Sequence, residues 1–199
     1  MPSLNNSLTP AERGILLDVA RRSIASGLEH GCPLPVEPAD YPEMLRPLRA
    51  TFVTLEKAGR LRGCIGTLEA IKPLVEDVAD HAFAAAFEDP RFPPLDKAEW
   101  PGMSLHVAVL SPPKALTART EDELLKQLRP GVDGVILRLG ARRATFLPSV
   151  WESLSDPYIF LAQLKQKAGL PLDFWSDEMR AERYTTESFA DVTAVQPDG

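Results

Sequence analysis

Directly behind Thr9-Pro10-Ala11-Glu12, apolar residues recur at helical spacing: Ile15, Leu16, Val19, Ala20, Ile24 and Leu28. Thr9 and Glu12 form a capping box and proline suits the first helical position. The pattern therefore predicts an amphipathic helix from residue 10 to about residue 28, ended by Gly31. Between residues 33 and 47, Pro33, Pro35, Pro38, Pro42 and Pro47 exclude a helix or a central strand. An ordered wrap is expected there, because Val36, Tyr41, Met44 and Leu45 need cover. Thr51-Phe52-Val53-Thr54-Leu55 is β-branched and aromatic and reads as a strand. Lys57-Ala58-Gly59-Arg60 supplies a turn, and Leu61 to Thr67 returns as the second arm of a hairpin.

Pro73 opens a second helix whose apolar face holds Leu74, Val75, Val78, Ala82, Phe83, Ala86 and Phe87, and the proline-rich segment Glu88 to Pro94 stops it. Met103 to Leu110 reads as a strand with Leu105, Val107 and Val109 on one face and His106, Ala108 and Leu110 on the other. Thr120-Glu121-Asp122-Glu123 is a second capping box, opening a short helix with Leu124, Leu125 and Leu128. Gly134 to Leu139 and Arg143 to Leu147, joined around Gly140, form another hairpin pattern. Asp156-Pro157 caps a helix with Ile159, Phe160, Leu161 and Leu164, ended near Gly169, and Arg183 to Phe189 reads as one final strand. The last ten residues are expected to fray. Hairpins joined by helices, without a βαβαβ rhythm, imply an α+β fold with a mainly antiparallel sheet and flanking helices.

At 199 residues, 44% hydrophobic and 25% charged, the chain suits one globular domain of one or two lobes. A net charge of −6 argues against a protein that coats nucleic acid or anionic membrane. No apolar run approaches the ~20 residues that span a bilayer. The segment Met1 to Ser7 lacks the basic and apolar regions of a secretory signal, and two cysteines make no disulfide framework. Reduced thiols and a cytoplasmic location are the resulting expectation.

The chemistry concentrates in Leu61-Arg62-Gly63-Cys64-Ile65-Gly66-Thr67. Glycine weakens a strand unless a backbone, a ligand or a kink needs the space. Strict alternation puts Arg62 on one face with Cys64, and Gly63 with Ile65 on the other. A thiolate beside cations has a lowered pKa and suits a nucleophile or redox centre, whereas buried free cysteines are ordinarily small apolar fillers. Gly63 and Gly66 either let backbone amides reach an anion or serve a bulge and tight helix packing. His81 at the edge of a helix face, His106 on a strand and Asp89 are the residues available as a base for Cys64, and spacing places none of them beside it. Asp89 and Arg91 flank Pro90, where they bind a polar ligand or satisfy each other and the loop. There is no C-x-x-C pair, H-E-x-x-H, phosphate-binding loop, dinucleotide fingerprint or nucleophile elbow, so neither a metal nor a cofactor is expected. Arg138, Arg142 and Arg143 make a short basic run on a hairpin, and the tryptophans are scattered.

From about Leu8 to Phe189 the chain resembles the AMMECR domain family. The carrying segments are Leu61 to Thr67; Ala84 to Phe87 followed by Asp89 to Pro94; Gly134-Val135 before Arg143 to Pro148; and Lys167-Ala168-Gly169 with Arg183-Tyr184. The resemblance implies a two-lobed α+β fold with the Cys64 segment near a cleft. Prokaryotic members of that family are associated with a Memo-like protein and a radical-SAM protein in the AmmeMemoRadiSam system, and no settled activity comes with the resemblance. The C-x-x-x-C-x-x-C cluster motif of radical-SAM enzymes is absent, so this chain is not that component.

Three readings follow. The first is an accessory module that presents Arg62, Gly63, Cys64, Gly66, Arg91 and Thr145 to a small ligand or a partner. The second is an enzyme using Cys64 with His81, His106 or Asp89. The third, a nucleic-acid-associated protein, fits the charge least.

Overall fold

The computed structural model describes residues 7–191. The expectations for the extreme N-terminus and for residues 192–199 lie outside that range. The described chain divides into two compact units, one reaching to Leu110 and resuming at Glu187, the other running from Ser111 to Thr186.

In the first unit the local signals set the element ends. Helix α1 (Pro10–His30) starts at Thr9, whose Oγ1 accepts from the Glu12 amide while the Glu12 carboxylate accepts from the Thr9 amide at 2.7 Å. It ends at Gly31, whose φ of 72° is the left-handed conformation that glycine adopts without a Cβ penalty. The proline-rich wrap holds two short 3₁₀ turns, Pro38–Asp40 and Glu43–Leu45. Leu45 is buried there, but Met44 stays exposed, against the expectation that both need cover. Strands β1 (Thr51–Lys57) and β2 (Arg60–Gly66) form a hairpin turning on Ala58 and Gly59, both at positive φ, as a two-residue turn with the twist of the strands requires. Helix α2 (Leu74–Phe87) packs on α1 and on this hairpin, and β3 (Met103–Leu110) pairs antiparallel with β1.

The sheet order is β2-β1-β3-β8, with β8 (Thr186–Asp191) at one edge and β2 at the other. Leu55, Leu105, Val107 and Val109 join the buried residues of α1 and α2 in one core, as the alternation along β3 predicts. Ser23, fully buried on α1, donates to the Ala79 carbonyl of α2 at 2.6 Å and accepts from the Leu34 amide, which ties both helices to the start of the wrap.

The second unit holds β4 (Lys114–Leu116), α3 (Glu121–Leu125), β5 (Gly134–Leu139), β6 (Arg142–Phe146), α4 (Pro157–Lys167) and β7 (Arg180–Tyr184), in a sheet of order β4-β7-β5-β6. Its core stacks Trp151 on Phe160 with ring centroids 3.7 Å apart, and the Trp151 indole N–H donates to the Asp133 carbonyl. The capping box at Thr120 is half formed: Thr120 accepts from the Glu123 amide, but the Glu123 carboxylate accepts from the Arg119 amide instead of that of Thr120. One further expectation is corrected. Residues 183 to 189 are not one strand, because the chain breaks at Thr185 into β7 and β8, which belong to different sheets. The overall class is α+β with antiparallel sheets.

Candidate functional site

Strand β2 is an edge strand, and its register carries the geometry of the Cys64 segment. Phe52, Val53, Thr54 and Leu55 pair with Gly66, Ile65, Cys64 and Gly63, but Glu56 pairs with Leu61. Arg62 is the extra residue of a β-bulge, so the alternation that puts it on one face with Cys64 is interrupted between them. Beyond the bulge, Gly63 faces α2 so closely that a Cβ there would lie 2.0 Å from the Ala85 carbonyl oxygen. Gly66, on the other face, is covered by the Phe52 ring of the neighbouring strand, 2.4 Å from where a Cβ would stand. Both glycines are therefore required by close packing.

The segment after α2 returns to brace this edge. Asp89, buried, accepts from the Cys64 amide at 2.9 Å through Oδ2 and from the Arg91 amide through Oδ1. The Arg91 guanidinium donates to both Asp89 oxygens, at 2.7 and 3.0 Å, and to the Cys64 carbonyl at 3.3 Å. One acid and one base thus answer both main-chain groups of Cys64, the two bonds a neighbouring strand would otherwise make. The Arg91 hydrogen bonds, with those from the two amides, hold the Asp89 carboxyl far below the usual carboxylate range against the opposing effect of burial.

Arg62 is engaged as fully. It donates to both Glu99 carboxylate oxygens, at 3.1 and 2.9 Å, and to the Pro93 carbonyl at 3.0 Å, with Phe92 beside its guanidinium. These bonds lower the Glu99 carboxyl from 4.5 to about 2. A carboxylate more acidic in the folded chain stabilises it above the unfolded value, and that contribution is lost as pH falls toward the folded one. Acidification from about pH 4.5 to about 2 is therefore expected to lower the urea midpoint of the wild type more steeply than that of Glu99→Gln. Parallel curves across that window would show that the pair does not stabilise the fold.

The thiol itself has a different neighbour. Thr54 donates its hydroxyl to Cys64 Sγ at 3.1 Å, and Cys64 is partly exposed on the sheet face directed away from α1 and α2. Thr54 also pairs with His106 on β3, so the threonine strand lies between the thiol and that imidazole. His106 Nε2 is 3.3 Å from the Glu56 carboxylate. His81 is on α2, on the opposite side of the sheet, with Nδ1 3.0 Å from Asp77 Oδ2 and 3.2 Å from Thr51 Oγ1. Asp89 reaches the Cys64 main chain and not its sulfur. Thr145 belongs to the second unit, where it donates to the Val135 carbonyl and contacts the Tyr184 hydroxyl. The structure thus brings together Cys64, Asp89 and Arg91, places Arg62 in a separate bidentate pair, and joins neither histidine to the thiol by a hydrogen bond among the described residues.

Thr54 and Glu99 were not legible as partners of Cys64 and Arg62. Counting outward from the Ala58-Gly59 turn pairs Thr54 with Gly63, and only the bulge moves it to Cys64. The Asp77–His81 pair did carry a signal, the i, i+4 spacing on a strongly periodic helix. No group of three or more His, Cys, Asp or Glu is arranged to hold a metal ion, and no helix is long and apolar enough to cross a membrane, among the described residues.

An α+β unit with a glycine-packed edge strand, braced through its main chain by an Asp-Pro-Arg segment, defines the class of protein in structural terms. The comparisons give the same class a name. Residues 17–189 match the AMMECR1 family, and the chain belongs to it. A Methanothermobacter thermautotrophicus protein is 39% identical over 184 residues, covering 92% of this chain and 95% of that one. A Methanopyrus kandleri protein is 40% identical over 176 residues, covering 86% and 84%. The solved structure of the uncharacterised protein PH0010 from Pyrococcus horikoshii superposes with a TM-score of 0.76 at 34% identity, covering 89% of this chain and 90% of that one.

Proposed function

We propose that the protein is a non-catalytic accessory module that presents the sheet face carrying Cys64 and Thr54 to a segment of a partner, in a reducing cytoplasmic setting. The partners are a Memo-like protein and a radical-SAM protein. One observation carries the non-catalytic part: the group at the thiol is a threonine hydroxyl that donates to sulfur, and such a group is no base for activating a nucleophile. The engagement of Arg62, Asp89 and Arg91 inside the fold supports the same reading. These charges hold the strand in shape and leave the partly exposed thiol face as the part free to make new contacts.

Co-elution of the purified chain with the two partners, singly and together, tests the proposal. Retention of at least one partner is expected. Thr54→Lys, which places a charge in the middle of the face, is expected to weaken it by about tenfold or more, as at the centre of a contact surface. Replacing the exposed Cys32 by alanine is expected to change nothing. If neither partner is retained in any combination, the proposed partners are wrong. If Thr54→Lys binds like the wild type, the face is wrong.

A further inference from the structure

The sheet face that carries Cys64 is sorted by charge. Along β1, Val53 and Leu55 join the core, so Phe52, Thr54 and Glu56 turn to the other side. Along β3, Leu105 and Val107 join it, so Ser104, His106 and Ala108 turn away with them. On β8, Glu187 and Asp191 reach back to Arg13 and Arg21 of α1, which leaves only uncharged residues of that strand on the outer side. Glu56 is therefore the only carboxylate that the described strand residues place on this face.

The strand register sets what surrounds it. Glu56 pairs with Leu61 on β2 and with Ser104 on β3, in the row next to that of Cys64, Thr54 and His106. Leu61 is 44% exposed, an apolar side chain left in water directly beside an acid. The Glu56 side chain is itself 34% exposed, and His106 Nε2 stands 3.3 Å from its carboxylate. No lysine or arginine pairs with Glu56 among the described residues. A neutral imidazole does not cancel the charge of a carboxylate, so in that form the face keeps one negative group. The first unit as a whole has the same sign. It holds eleven lysines and arginines against eighteen aspartates and glutamates, whereas the second unit holds eleven against ten. A field of that sign draws in cationic segments and repels anionic ones.

We infer that the partner segment docking on this face is basic, and that it lays the stem of an arginine or lysine on Leu61 with the charged head on the Glu56 carboxylate. Long cationic side chains bury an apolar stem while keeping the head in a polar place, which is the pairing that Leu61 and Glu56 offer. This rests on the docking reading given above and names the chemistry of what docks. It also gives the charged end of the face a role that the thiol and Thr54 do not fill.

The test measures the affinity of the full chain for whichever of the two partners it retains, at about 50 mM and about 500 mM salt, across which charge pairs become strongly screened. A loss of about tenfold is expected for the wild type. Glu56→Gln is expected to weaken binding by about three- to tenfold and to flatten the salt dependence, and Glu56→Lys to weaken it by more than tenfold, since it sets like charges together. Glu56→Gln changes shape little and carries the test alone if the lysine variant does not fold. Glu29→Gln removes the same charge from an exposed position on α1 and is expected to bind within about twofold of the wild type. Among 15-residue peptides tiling the retained partner, the tightest is expected to contain arginine or lysine and to shift the amides of Glu56 and Leu61. If a partner is retained and Thr54→Lys weakens it while Glu56→Gln does not, the docking face stands and the basic segment is refuted. An uncharged or acidic peptide as the tightest binder refutes it equally. If neither partner is retained in any combination, the docking reading and the basic segment fall together.

Discussion

Gly63→Ala is expected to cost about 3 to 5 kcal/mol, which places it among the largest single effects available in a fold of ordinary stability. The added methyl would lie 2.0 Å from the Ala85 carbonyl oxygen and 3.0 Å from its carbon, so what must give is main chain. Ala85 sits inside α2 and is buried, and the helix is held on its other side by α1. Moving it would reopen the core that Leu55, Val78 and Leu105 share. The expected result is insoluble protein, or a soluble variant whose urea midpoint falls by much of the wild-type value. Gly14→Ala is the matching control. It lies in α1 with open space where the new methyl would stand, and is expected to stabilise by roughly 0.5–1 kcal/mol by favouring helix. Wild-type stability in Gly63→Ala would refute the close approach.

The second large effect belongs to Asp89. Asp89→Ala removes the acceptor of the Cys64 amide and the partner of the Arg91 guanidinium in one step. Leaving a partly buried amide and a half-exposed cation unanswered is expected to cost about 2 kcal/mol, below the range for breaking a fully buried pair because Arg91 keeps access to water. Asp89→Asn keeps an oxygen for the Cys64 amide and loses the charge, so a smaller loss is expected. Hydrogen exchange separates this from a general loosening: the Cys64 amide is expected to lose protection in Asp89→Ala well before the amides of β3 do. Because the Asp89 carboxyl is held below its unfolded value, its contribution is present above about pH 3.9 and declines as pH falls below it. Uniform loss of protection across the sheet would contradict the assignment.

Much of the architecture was legible because its causes are local. The capping box at Thr9, the left-handed Gly31 and the turn at Ala58-Gly59 each act within a few residues, and the apolar stripe of α2 repeats often enough to give its buried face. What was hidden depends on partners far apart in sequence. Nothing near Arg62 announces Glu99, 37 residues away, as the acceptor of its guanidinium. Nothing near Thr185 announces that the chain changes sheets there, since both sides are equally suited to strand. The short β4 lacks an apolar alternation of its own and exists by pairing with β7. The Cys64 segment shows the division most clearly. Its glycines and cysteine marked it as unusual, but the bulge that sets which way Arg62 turns is a property of the hairpin register.

An edge strand is also a place where a sheet can keep growing, and many proteins must prevent a second molecule from adding itself there. At Cys64 this chain meets that hazard with side chains, because the outward amide and carbonyl are already taken by Asp89 and Arg91. The Asp-Pro-Arg segment therefore also ends the sheet. A chain deprived of it would gain a free template for intermolecular strand pairing, and its failure in solution would be fibrous association as much as unfolding.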